Sequence, residues 1–292
     1  MVELNPRLRG RILKIQQNEI TEHLIYKTLA SIAGLKQDKN KAILDAICAD
    51  ELSHYGFWKG FTQADMAPQQ LKVKFYLFLA KIFGLSFSLK LMESGEANAQ
   101  SVYAGLLSID PQVTKVMQDE ERHEKEVLAL IDEERLKYTG SIILGLNDAL
   151  VELTGALSGF TLALQRTKLI AVVGLITGIA AALSMAGSEY LSTKEEGLRS
   201  PVKACVYTGI AYIFTVILLI LPFFFFQSPF LALGLTVFFV TCVIFIFTFY
   251  VSVAKGFSFK TRFLEMLGIA LGVAALNFFI GLAVKKYLHL DV

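Results

Sequence analysis

The sequence predicts an all-α protein in two parts: a four-helix di-metal bundle, then a five-span transmembrane helical domain. Three observations carry this. Charge is concentrated in the first 137 residues, although the chain as a whole is 54% hydrophobic with mean hydropathy +0.53. Glu-x-x-His occurs twice in that charged part, at Glu51–His54 and Glu120–His123. Beyond it come five apolar runs, each long enough to cross about 30 Å of hydrocarbon. The expected domains are therefore 1–137 and 138–292.

In chain order, the N-terminus lacks the 7–15-residue apolar core of a signal peptide. Residues 8–33 read as a helix carrying Glu19, Glu22, His23 and Tyr26. A polar turn over Lys36–Lys41 leads to a second helix, 41–60, with Glu51 and His54. After Pro68, residues 69–90 combine Lys72, Lys74, Lys81 and Lys90 with Phe75, Tyr76, Phe78, Phe83 and Phe87. Such a helix suits either an anionic membrane surface or packing between the bundle and a partner subunit. A third bundle helix holds Glu93, Glu96 and Tyr103. Asp110-Pro111 marks the start of the fourth, with Pro at the first helical position, and this helix brings Glu120 and His123. With no Pro between 115 and 160, one continuous rod is expected, placing His123 about 38 Å from Asp148 at roughly 1.5 Å per residue.

One Glu-x-x-His is weak evidence, since both residues are common on solvated faces. Here they form a set: Glu19, then Glu51 and His54, then Glu93 and Glu96, then Glu120 and His123. Two divalent ions held together need bridging carboxylates, and each accepts an imidazole. Glu19 precedes Tyr26 by seven residues, and Glu96 precedes Tyr103 by the same interval, as a duplicated helix pair would have it. Glu22 in place of Glu19 breaks that match. Cys48, Cys205 and Cys242 show no paired spacing and read as reduced thiols. A net charge of +2 without a basic–aromatic motif argues against a nucleic-acid partner.

The spans are expected near 140–164, 168–192, 202–225, 229–254 and 262–285. An odd number separates the termini. The Lys/Arg bias favours a cytoplasmic N-terminal domain and an outside C-terminus in a cell membrane. Ionisable groups within spans are costly and default to function. The first span holds Asn147, Asp148 and Glu152, and the second Met185 and Glu189. Two acids with a thioether suit a ferrous-type ion over calcium or magnesium. Emptied of metal, acids in a low dielectric take up protons, which metal entry expels again. Gly155/Gly159, Gly174/Gly178 and Gly268/Gly272 are spaced for close helix contacts, read as dimer packing. Glu265 reads either as a metal waypoint or as a partner of Arg262, the ion pair being the favoured of the two.

The ligand order of the first part resembles the ferritin-like superfamily, rubrerythrins in particular. By that resemblance Glu96 is a bridge and Glu93 an additional ligand that can move; the four-cysteine rubredoxin domain of rubrerythrins is absent. Gly145-Leu146-Asn147-Asp148-Ala149-Leu150-Val151-Glu152-Leu153-Thr154-Gly155 and Ser184-Met185-Ala186-Gly187-Ser188-Glu189-Tyr190 resemble the two signatures of the vacuolar iron transporter family. That resemblance implies a homodimer exporting ferrous iron from the cytosol against protons, with Asp148 and Met185 lining the path and Glu152 and Glu189 flanking it. The long acidic insert between spans two and three of eukaryotic members is missing. Taken whole, the chain resembles the membrane-bound ferritin fusion. The expected cofactor is a di-iron centre, manganese fitting the same ligands, with possible ferroxidase activity. A bilayer-anchored di-iron oxidase or peroxidase, or a manganese exporter, is the alternative.

Overall fold

A computed structural model describes residues 6–33, 38–96, 110–129 and 138–288. Among them all secondary structure is helical. The chain divides into two compact units, Met1–Glu133 and Glu134–Val292.

In the first unit, α1 (Pro6–Ala33) and α2 (Asp38–Thr62) pack along each other, and α3 (Gln70–Phe83), α4 (Leu85–Glu96) and α5 (Val113–Ala129) complete the described helices. The α2–α3 link is stitched to α1: Thr62 Oγ1 donates to Gln16 Oε1 (2.6 Å), Gln16 Nε2 to the Ala64 carbonyl (2.7 Å), and the Gln69 N–H to Thr21 Oγ1 (3.0 Å). Residues 69–90, expected as a single helix, break at Gly84, whose φ of 98° is open to glycine and strained for other residues. The Asp110-Pro111 start holds: Asp110 Oδ1 accepts from the Gln112 N–H at 2.8 Å, and α5 follows at Val113. The expected rod from 115 to 160 crosses 130–137, which lie outside the described residues, as does Tyr103.

Two apolar clusters bracket the middle of this unit. Ile12, Ile15, Trp58, Val113 and Val116 form one; Ile25, Leu29, Leu44, Ile47, Leu89 and Val127 belong to the other. Along α1, α2 and α5 the buried acids and imidazoles fall between the residues of these clusters, so the helix period itself makes a polar layer between two dry ones.

In the second unit, α6 (Thr139–Leu164), α7 (Thr167–Glu196), α8 (Pro201–Phe225), α9 (Pro229–Lys255) and α10 (Phe259–Leu288) are long and apolar enough to span a bilayer. α6 is central, packing against α7, α8, α9 and α10. Glycine allows this: a Cβ on Gly145 would lie 2.5 Å from the Thr208 carbonyl oxygen of α8, and one on Gly281 of α10 would overlap the Gly159 carbonyl oxygen. Two of the three glycine pairs read as dimer contacts are used within the chain. Gly155 and Gly159 meet Val273 and Asn277, and Gly174 and Gly178 meet Leu157, Ile220 and Val216. Around Gly268 and Gly272 there is open space.

Candidate metal centre and intramembrane acids

The polar layer of the first unit is a carboxylate–imidazole cage. Glu19 from α1, Glu51 and His54 from α2, and Glu120 from α5 each offer a ligand atom, all within 4.8 Å of one another. His54 Nδ1 stands 3.2 Å from Glu120 Oε1 and 3.5 Å from Glu19 Oε2, while His123 Nδ1 stands 3.1 Å from Glu51 Oε1 and 3.9 Å from Glu120 Oε2. The pairing is crossed: the Glu of each Glu-x-x-His faces the imidazole of the other. The rings lie with centroids 5.9 Å apart.

Two aspartates missed in the sequence reading lie behind the imidazoles. His123 Nε2 is 3.2 Å from Asp50 Oδ2, and His54 Nε2 is 3.4 Å from Asp119 Oδ2. Arg122 joins them, its Nη2 donating to Asp50 Oδ2 at 2.6 Å and approaching Asp119 Oδ1 at 3.0 Å. A carboxylate facing Nε2 favours a proton there and leaves the Nδ1 lone pair for the cage, the usual arrangement behind a ligating histidine. The signal was in the sequence, since both motifs read Asp-Glu-x-x-His.

The cage is under electrostatic strain that a cation relieves. Glu51 Oε2, His54 Nδ1 and His123 Nδ1 are buried without a well-formed hydrogen bond among the described residues, an arrangement that costs free energy unless something binds there. Burial and the neighbouring Glu19 and Glu120 push the Glu51 carboxyl well above its usual range. Burial pulls on His54 in the opposite sense, but Glu120 and Glu19 hold the imidazolium and raise it to about 10. Burial lowers His123, partly offset by Asp50. Trp58 Nε1 donates to Glu19 Oε1 at 3.0 Å, fixing that carboxylate. The donor set, three carboxylates and two imidazoles, fits a divalent transition metal.

Other acids are placed differently. Glu22 is buried but pairs with Lys72 Nζ at 3.0 Å. His23 turns away, its Nδ1 2.8 Å from the Cys48 carbonyl oxygen. The side chains of Glu93 and Glu96 lie outside the described ones. Cys48 is buried, and Cys205 and Cys242 are half-buried; all three are free.

In the second unit, Asp148 and Glu152 sit one turn apart on α6. Glu152 Oε2 accepts from the Tyr212 hydroxyl of α8 at 2.7 Å. Glu189 on α7 is buried, and its Oε1 accepts from Ser141 Oγ at 2.6 Å and Thr193 Oγ1 at 3.4 Å. Ser141 in turn offers its carbonyl to Thr208 Oγ1 at 3.0 Å, so α6, α7 and α8 are laced by polar bonds around two acids. Met185 packs at the edge of the apolar core, and Asn147 Oδ1 is buried with no hydrogen bond among the described residues. Arg262 reaches Glu265 at 3.8 Å.

The VIT family's sequence profile matches residues 139–198, which comprise α6, α7 and the start of the following loop. Asp148, Glu152, Met185 and Glu189 all fall inside the match. No curated protein and no solved structure matches the chain. The family match and the five apolar helices point to a multi-pass membrane protein that transports metal ions.

Proposed function

We propose that this protein exports ferrous iron from the cytosol in exchange for protons, and that its N-terminal unit is a ferritin-like di-metal domain that captures the ion first. The observation that carries the reading is the placement of Asp148, Glu152, Met185 and Glu189 inside the family-matched pair of apolar helices, in a chain that also builds the cage. A simple anchor needs no intramembrane acids.

In the N-terminal unit, Glu19, Glu51, Glu120, His54 and His123 would hold the metal, with Glu96 as a bridge and Glu93 as an additional ligand. Asp50 and Asp119 keep the two Nδ1 atoms aimed inward. The apolar clusters on either side limit water, so carboxylate charge is neutralised by bound protons or by the cation that displaces them. A di-iron centre held there would supply one-electron redox chemistry, and a ferroxidase role would need dioxygen or peroxide as the electron acceptor. In the spans, Asp148 and Met185 form the binding step, with Glu152 and Glu189 flanking it. These acids release protons as the cation enters and regain them as it leaves. The lysine and arginine distribution supports an N-terminal unit in the cytoplasm of a cell whose plasma or inner membrane holds the spans, and a homodimer would use the α10 face that presents Gly268 and Gly272.

The test is ferrous uptake into proteoliposomes under a pH gradient. Asp148→Ala is expected to abolish flux while leaving metal binding at the cage unchanged. Full flux in that variant sinks the path. An anchored oxidase, favoured by a cage that is complete without the spans, predicts oxidation with no flux in the native protein. Substituting manganous for ferrous ion in the same vesicles decides the cargo.

A further inference from the structure

α3 carries a feature that the transport reading does not use. Val73 and Leu79 are buried, with Tyr76, Leu77 and Ala80 packed on the same core. On the other side Leu71 (84% exposed), Phe75 (51%), Phe78 (58%) and Ile82 (48%) stand in solvent. Their spacing of four, three and four places them within an arc of about 60° at 100° per residue. Four large apolar side chains in one stripe are a docking surface, unlike scattered exposed residues.

The charge around the stripe selects the occupant. Exposed Lys74 and Lys81 lie along one edge, and from Ala67 to Met92 there are four lysines and no acid. The chain's total is only +2, so this segment is basic in a protein that is otherwise slightly acidic. A second copy docking isologously would set α3 against α3. Lysines would then approach lysines with no carboxylate on the helix to pair with them. An anionic lipid surface meets both demands: it accepts Phe and Leu below the headgroups and lysines at the phosphates. The five spans of the same chain keep a bilayer always within reach.

We infer that α3 lies in the headgroup layer of an anionic membrane, inserting Leu71, Phe75, Phe78 and Ile82 and setting Lys74 and Lys81 on acidic phospholipid. The experiment uses the full chain in nanodiscs of phosphatidylcholine with 30% phosphatidylglycerol, the acyl chains brominated. Trp58 is the native protein's only tryptophan and is buried, so it supplies an unquenched baseline. Phe78→Trp, and independently Phe75→Trp, add a surface reporter at little risk to the fold. Both are expected to be quenched by the brominated lipid. Adding Lys74→Glu and Lys81→Glu should weaken the interaction by at least about 30-fold, at roughly fivefold per lysine lost before the repulsion of the new carboxylates, and restore emission. Absence of quenching at both positions, as a covering protein partner would produce, overturns the inference. So does quenching that persists unchanged in the double glutamate variant or in discs of phosphatidylcholine alone.

Discussion

Asp119 shows how a residue outside the cage can set what the cage does. With its carboxylate facing His54 Nε2 at 3.4 Å, Asp119→Asn removes the group that holds the imidazole tautomer. Loss of such a partner typically lowers metal affinity 10–100-fold; a chelator-competition titration of the full chain should read this, with helical circular dichroism unchanged. Asp50→Asn is expected to act alike through His123. Protonation gives a second test. Glu51, raised by burial and by Glu19 and Glu120, keeps a proton that the unfolded chain has already released. The metal-free unit therefore loses stability as pH climbs from the ordinary carboxylate range through the raised value. His54 adds to the same trend. Its stabilisation is complete below about 6.5, the unfolded value, and is lost as pH rises through about 10. A divalent ion substitutes for those protons, so its affinity should rise with pH and its binding should release protons to a dye in weak buffer. Trp58, bonded to Glu19, is the natural optical reporter of the same event.

At the scale of the element, two motifs that look alike in sequence act reciprocally in space. Each Asp-Glu-x-x-His strand of side chains serves the histidine of the other helix, so neither α2 nor α5 has a finished site alone. Glu51→Ala is accordingly expected to weaken binding through His123 as much as through its own lost oxygen. Helix packing in the second unit makes a different demand. α6 meets α8 and α10 at distances that leave no room for a methyl group at Gly145 or Gly281. Gly145→Ala and Gly281→Ala should each destabilise the unit by about 1–3 kcal/mol, the usual cost of overpacking. Gly272→Ala, facing open space, should be tolerated within the chain. Thermal unfolding in detergent, followed by aggregation or by thiol labelling of Cys205, compares the three.

For the whole molecule, the consequence is a division of labour between solvents. The first unit buries acids and imidazoles in a layer between two apolar clusters, where burial makes unneutralised charge costly and an entering cation would relieve it. The second places acids where lipid surrounds the protein, and there Ser141, Thr193 and Tyr212 satisfy Glu189 and Glu152 by hydrogen bonds. The two tasks separate by mutation. Removing the cage with His54→Ala and His123→Ala is expected to abolish high-affinity binding in the N-terminal unit while leaving residual flux at high iron. Asp148→Ala should do the reverse. Parallel binding and flux measurements on the three proteins check it.

The five apolar helices and the two Glu-x-x-His pairs were legible in the sequence because each is periodic: hydropathy over a span length, and ligands one turn apart. Glu19 was legible too, through its seven-residue spacing to Tyr26. What the chain alone did not reveal depends on partners distant in sequence. Asp50 and Asp119 gain meaning only when α2 and α5 face each other, and the partner that occupies Glu22, Lys72, arrives from α3. The glycine pairs 155/159 and 174/178 show the same limit. Spacing announces a close approach, but whether the neighbour is the same chain or another is settled by which helices pack, and that is a property of the tertiary fold.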